Sequence, residues 1–126
     1  MTNKIKSSEE EEQIAVIEYC DIKHIPIVHI ANEGKRSRAY GALLKRLGMR
    51  EGFPDLLLPM ACRGYHGFFI EMKYGKNKPT DNQVKWLSTL KAEGYATAVC
   101  YSAKEAIKLI DLYLSGRDYN AKNRKN

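Results

Sequence analysis

Apolar residues Ile14, Ile17 and Cys20 recur at threes, which puts one apolar face on a helix over residues 8–21. Ser8 followed by Glu11 reads as a capping box that opens this helix. The acids at 9–12 fall in its first turn, where the positive end of the helix dipole favours them. Residues 25–30 are short and β-branched and run into Asn32-Glu33-Gly34, a strand signal. Pro26 cannot donate to a ladder, so this strand belongs at a sheet edge. Ala39, Leu43 and Leu47 then repeat at helical spacing, with Gly48 as the stop of a helix over 37–47.

Two apolar runs follow, 55–59 and 67–72, joined through Arg63-Gly64, which predicts a β-hairpin. Thr80 with Gln83 makes a second capping box, opening a helix that Gly94 stops. A strand over 95–101 and a last helix over 102–114, capped by Ser102 with Glu105, complete the pattern. The order α-β-α-β-β-α-β-α predicts an α/β fold, a mixed sheet with helices on both sides. A length of 126 residues suits one domain, placed here at 1–116, with a basic and flexible tail at 117–126.

Composition narrows the class without naming it. Charged residues make up 29% and no apolar run approaches the roughly 18 needed to cross a bilayer, so no membrane is expected. The charged start of the chain is unlike a signal peptide, and an intracellular protein, cytoplasmic in a bacterium or a phage-infected host, is expected. Three widely spaced cysteines fit buried, reduced thiols, and Cys62 near His66 lacks the second pair that a structural zinc wants. Net charge is +6, with cations clustered between Lys35 and Arg50, which suits a polyanion.

The chemistry concentrates on the predicted hairpin. Alternate side chains of a strand share a face, so Phe68, Ile70 and Met72 point one way and Glu71 and Lys73 the other. Asp55 follows Pro54 at the start of the partner strand and comes near Glu71 if the strands pair. Two converging carboxylates make a hard oxygen site for Mg²⁺ or Mn²⁺, to which the backbone carbonyl of Met72 can add a ligand. Lys73 then stands where it can orient or help deprotonate an attacking water and touch a scissile phosphate. The same tripeptide spacing recurs at Asp21-Ile22-Lys23 and Glu33-Gly34-Lys35, but a helix end and a glycine turn offer no strand face. The competing reading of Glu71 and Lys73 is a surface salt bridge.

The stretches Asn32-Glu33-Gly34-Lys35-Arg36-Ser37, Gly52-Phe53-Pro54-Asp55-Leu56, Ile70-Glu71-Met72-Lys73, Gln83 with Trp86-Leu87, and Gly94-Tyr95 stand in one order. In that order the chain resembles the virus-type replication-repair nuclease (VRR-NUC) domain of the PD-(D/E)xK superfamily. The resemblance implies a restriction-endonuclease-like fold and divalent-metal-dependent cleavage of DNA. It implies Asp55 and Glu71 as metal ligands, Lys73 as the catalytic lysine and Gln83 close to the site. A first-helix glutamate often joins the metal in the superfamily. Glu12 is the choice here, with Glu9 next and solvated first-turn acids as the alternative. Phe53 departs from the smaller aliphatic residue common at its position. Trp86 reads as a core anchor. His29, Asn32, Lys35, Arg36 and Arg38 are candidate DNA contacts, since a glycine turn entering a helix exposes amides and the cations suit phosphates. A solvated basic face is their bland alternative.

Stand-alone members of this kind look like phage or prophage proteins and match Holliday-junction resolvases in size, which implies a homodimer acting on branched DNA, in DNA repair or replication. Two readings compete with that: a nuclease preferring flaps, single strands or plain duplex, and an inactive DNA-binding module on a nuclease fold.

Overall fold

The computed structural model describes residues 8–31 and 37–117. Its elements are α1 (Ser8–Ile22), β1 (Val28–His29), α2 (Arg38–Arg46), β2 (Leu56–Leu58), β3 (Phe68–Met72), α3 (Asp81–Ala92), β4 (Ala96–Cys100) and α4 (Ala103–Leu114), in the order expected. Asn32, Lys35, Arg36 and the tail from residue 118 lie outside the described residues, and Ser8, expected as a cap, is instead the first residue of α1.

Three helices end in the same way. The amides of Gly48 and Met49 bond back to Lys45 and Leu44, closing α2 with a left-handed residue at φ +110°. Gly94 and Tyr95 do the same on Lys91 and Leu90 behind α3. Behind α1 the left-handed position is taken by His24 at φ 61°, with Ile25 bonding Cys20. Because Ile25 belongs to that stop, the first strand begins later than expected, at Val28. The hairpin tip is a two-residue turn in which Arg63 and Gly64 both have positive φ. That suits the twist of antiparallel strands.

The sheet runs β1-β2-β3-β4, antiparallel across its first two joins and parallel between β3 and β4. β1 is an edge strand, as Pro26 requires. A parallel pair needs a crossover, and α3 supplies it, packing on β4. The core lies on the opposite face. There Leu56, Leu58, Phe68, Ile70 and Met72 meet Val16 and Cys20 of α1 and Ala106, Ile110 and Tyr113 of α4.

α2 departs from its pattern: none of its residues is buried, and Tyr40, Leu43 and Leu47 are exposed. β1 and β2 are antiparallel neighbours, so the helix between them is no crossover and nothing forces it onto a sheet face. All three cysteines are buried and unbridged. Burial pushes the thiols of Cys20 and Cys100 up to about 11 and about 12. Arg117, assigned to the tail, donates from its guanidinium to the Ala61 carbonyl at 2.6 Å. No helix among the described residues is long and apolar enough to cross a membrane.

Candidate active site

Strand register assembles the site. Leu56 pairs with Ile70, so the next residues outward, Asp55 and Glu71, face one another on one side of the sheet. Asp55 is held from both neighbours. Its carbonyl accepts from Ile30 N at 2.8 Å, extending the β1 ladder, and its Oδ2 accepts from Met72 N at 2.9 Å. Lys73 N donates to Cys100 O at 2.8 Å, so β4 fixes the backbone on which the lysine stands.

Glu71 is only 3% exposed, which rules out a surface salt bridge. This face of the sheet is covered by α3 and by a row of rings. Phe69, on the same side of β3 as Glu71, meets Phe53 at 5.4 Å and Tyr95 at 5.2 Å between centroids. A buried carboxylate needs partners. Glu71 Oε2 accepts from Gln83 Nε2 at 2.9 Å and lies 3.9 Å from Lys73 Nζ. Glu71 Oε1 is buried and meets no donor. What stands beside Glu71 is the Asp55 carboxyl, which can bond it only while one of the two carries a proton. Burial first, and then the Asp55 charge, push Glu71 from its ordinary 4.5 up to about 8, against the pull of Lys73.

Gln83 does two things at once. Its Oε1 accepts from Thr80 N at 2.8 Å and its backbone N–H donates to Thr80 Oγ1 at 3.2 Å, closing the capping box of α3. The remaining Nε2 reaches Glu71. The cap therefore aims the N-terminus of α3 at the carboxylates.

The first-helix acids divide differently from the expectation. Glu12 Oε1 accepts from Ala103 N at 2.6 Å, where it caps α4. Glu9 is the first-turn acid whose charge acts on Glu71. One turn on from Glu9, Gln13 Nε2 lies 3.1 Å from His29 Nδ1, which is also 3.1 Å from the Asp55 carbonyl. Only one of these contacts can be a hydrogen bond in a given tautomer: a protonated Nδ1 donates to the carbonyl, a bare one accepts from the amide. In the Nδ1-protonated tautomer His29 braces the backbone of Asp55. Arg38, the other described member of the DNA-contact set, is exposed at the start of α2, behind the Ser37 cap. Trp86 is half-buried against Phe53 at 5.0 Å and stands outside the apolar core.

The sequence reading assigned Gly52 no role of its own. A Cβ there would come within 2.7 Å of Asn82 backbone and 2.9 Å of Gln83 N, so the turn before Asp55 packs directly on the start of α3.

The site fits a divalent ion. It offers two hard carboxylates, one of them with an orphaned buried oxygen, and a lysine at the rim. No group of three or more His, Cys, Asp or Glu converges among the described residues, so backbone and water would complete the shell, as Mg²⁺ prefers.

A mixed sheet clad by helices, with an aspartate opening one strand and Glu-x-Lys on the next, defines the PD-(D/E)xK, restriction-endonuclease-like class. Comparison with known proteins narrows this. The family model for the VRR-NUC domain matches residues 7–104. The chain belongs to the VRR-NUC family, and carries a nuclease-type domain. A solved structure described as a VRR_NUC domain protein superposes with a TM-score of 0.75 at 28% identity, over 88% of this chain and 91% of that one. No curated protein matches the sequence.

Proposed function

We propose that this protein is a divalent-metal-dependent DNA endonuclease that hydrolyses phosphodiester bonds, acting as a homodimer on branched DNA in the manner of a Holliday-junction resolvase. The observation that carries the reading is the pairing of Asp55 with a buried, incompletely satisfied Glu71 beside Lys73.

Asp55 and Glu71 would hold Mg²⁺ or Mn²⁺, with the Met72 carbonyl as a further ligand and water completing the shell, while the charge of Glu9 on α1, rather than that of Glu12, would favour the ion without ligating it. A bound ion supplies charge stabilisation at phosphorus and lowers the pKa of water. The chain's own contribution is placement. Gln83 Nε2 holds Glu71 Oε2 in one orientation and leaves Oε1 free to turn to a cation. Lys73 sets a positive charge beside the carboxylates, where it meets the attacked phosphate and orients the water. Arg38 and the cations of 35–36 bind flanking phosphates. A two-fold dimer would set two such sites across a junction.

The test is a labelled four-way junction and a matched linear duplex, each with Mg²⁺, Mn²⁺ or EDTA. The wild-type protein is expected to nick opposing junction arms only with metal. Lys73→Ala is expected to lose at least about a hundredfold in rate while still binding DNA, the scale at which single catalytic groups act. Asp55→Ala is expected to weaken metal affinity. Cleavage of both substrates would keep the nuclease and remove the junction preference. DNA bound without turnover in either metal would leave a binding module. Sedimentation of the free protein checks the dimer.

A further inference from the structure

Beside the carboxylates, the chain shapes a cleft that catalysis does not need. It has a volume of about 330 Å³ and is lined by Ile30, Ala31, Gly48, Met49, Arg50, Phe53 and Trp86. That is the low end of the roughly 300–1,000 Å³ typical of small-ligand pockets. Its position is fixed relative to the site. Phe53 lies two residues before Asp55, at most roughly 7 Å of chain away. Ile30 donates to the Asp55 carbonyl. Phe53 packs on Phe69, which shares a strand face with Glu71, so cleft and carboxylates open on the same side of the sheet.

The lining has a distinct chemistry. Two half-buried aromatic rings at 5.0 Å, a thioether and aliphatic carbons supply flat, polarisable contact. The charged member is Arg50, and Lys45 and Arg46 precede it in the last turn of α2. A sugar would ask for side-chain hydroxyls or amides, which this lining lacks among the described residues. A flat heterocycle attached to an anionic backbone matches both halves, since bases stack on aromatic faces and cations follow the phosphates.

We propose that this cleft takes one unstacked nucleobase of the substrate strand, next to the phosphate at Asp55 and Glu71. The proposal rests on the endonuclease reading above and deepens it. A base swung out of its stack is least costly where it is already unpaired, so the cleft selects DNA with an unpaired nucleotide beside the cut.

The chain's one tryptophan, Trp86, is the reporter. The probes are a single-stranded oligonucleotide carrying one 2-aminopurine and the same strand paired into duplex, both in EDTA so that nothing is cut. Anisotropy reports whether each is bound. The single strand is expected to protect Trp86 from acrylamide quenching at least twofold and to lose 2-aminopurine emission, whereas bound duplex does neither. Phe53→Leu is expected to weaken single-strand binding about tenfold, the size of one lost stack, with Met49→Ala as a milder second variant. DNA that binds without protecting Trp86, or duplex that protects it equally, overturns the base pocket and leaves the nuclease reading standing. Absence of single-strand binding overturns the base pocket, while the junction assay with metal decides the nuclease reading separately.

Discussion

Glu71 holds most of the tension in this molecule. Its carboxyl is buried, faces Asp55, and is pushed up to about 8, mainly by burial. A raised carboxylate pKa means that the folded chain keeps a proton that the unfolded chain has released. Between about 4.5 and about 8 the folded state therefore binds more protons, and its stability falls as pH rises through that window. In EDTA, the melting temperature is expected to drop from pH 5 to pH 8. Glu71→Gln, which keeps the Gln83 contact through its amide oxygen, should flatten that slope. Adding Mg²⁺ should raise the wild-type melting temperature most at pH 8, where the ionised pair has most to gain from a cation. A slope unchanged in Glu71→Gln would show that another group sets it. The presence of the carboxylate pair was legible in Pro54-Asp55 and Glu71-Met72-Lys73. Its burial was not, because strand alternation says which residues share a face and is silent on what covers that face.

At the scale of elements, the helix ends do two jobs. The stops at Gly48 and Gly94 and the caps at Thr80 with Gln83 and at Ser102, which accepts from Glu105 N at 3.1 Å, are present as expected from local sequence, whereas Ser8 falls inside α1 instead of capping it. Several also serve the site. The α3 cap delivers Gln83 to Glu71, and Gly52 lets the turn before Asp55 lie against that cap. Gly52→Ala would put a methyl 2.7 Å from Asn82 at φ +89°. A loss of about 2 kcal/mol or more in chemical denaturation is expected, from overpacking and a left-handed backbone together. The displaced Gln83 should also cost Glu71 its donor, so cleavage is expected to fall further than stability explains. α2 is the element whose pattern misled. Its apolar spacing is real, but spacing alone cannot show whether a helix crosses a sheet face or sits beyond an edge.

Across the whole molecule, α1 links the two halves of the fold. Its Glu12 caps α4 and Tyr19 donates to Asp111 at 2.6 Å, so one side of the helix is tied to α4. Of its first-turn acids, Glu9 adds to the upward push on Glu71, and Gln13 reaches His29. The two glutamates should therefore separate cleanly. Glu12→Ala is expected to lower stability by about 1 kcal/mol, from a helix amide left without its acceptor. Glu9→Ala is expected to weaken Mg²⁺ affinity, measured by calorimetry, with little loss of stability. The reverse pattern would return Glu12 to the metal.

Taken alone, the order of residues was enough to settle what depends on near neighbours. It placed the eight elements, the stops at Gly48 and Gly94, the caps at Thr80 and Ser102, the edge position of the Pro26 strand, and the hairpin that carries Asp55 opposite Glu71. These follow from backbone geometry and side-chain alternation, which act over a few residues. Tertiary structure alone decided that Glu12 caps α4, that Glu71 is sealed from water, that Trp86 borders a cleft instead of the core, and that α2 stays exposed. Each of these depends on what packs from a distant part of the chain, and on the desolvation that such packing imposes.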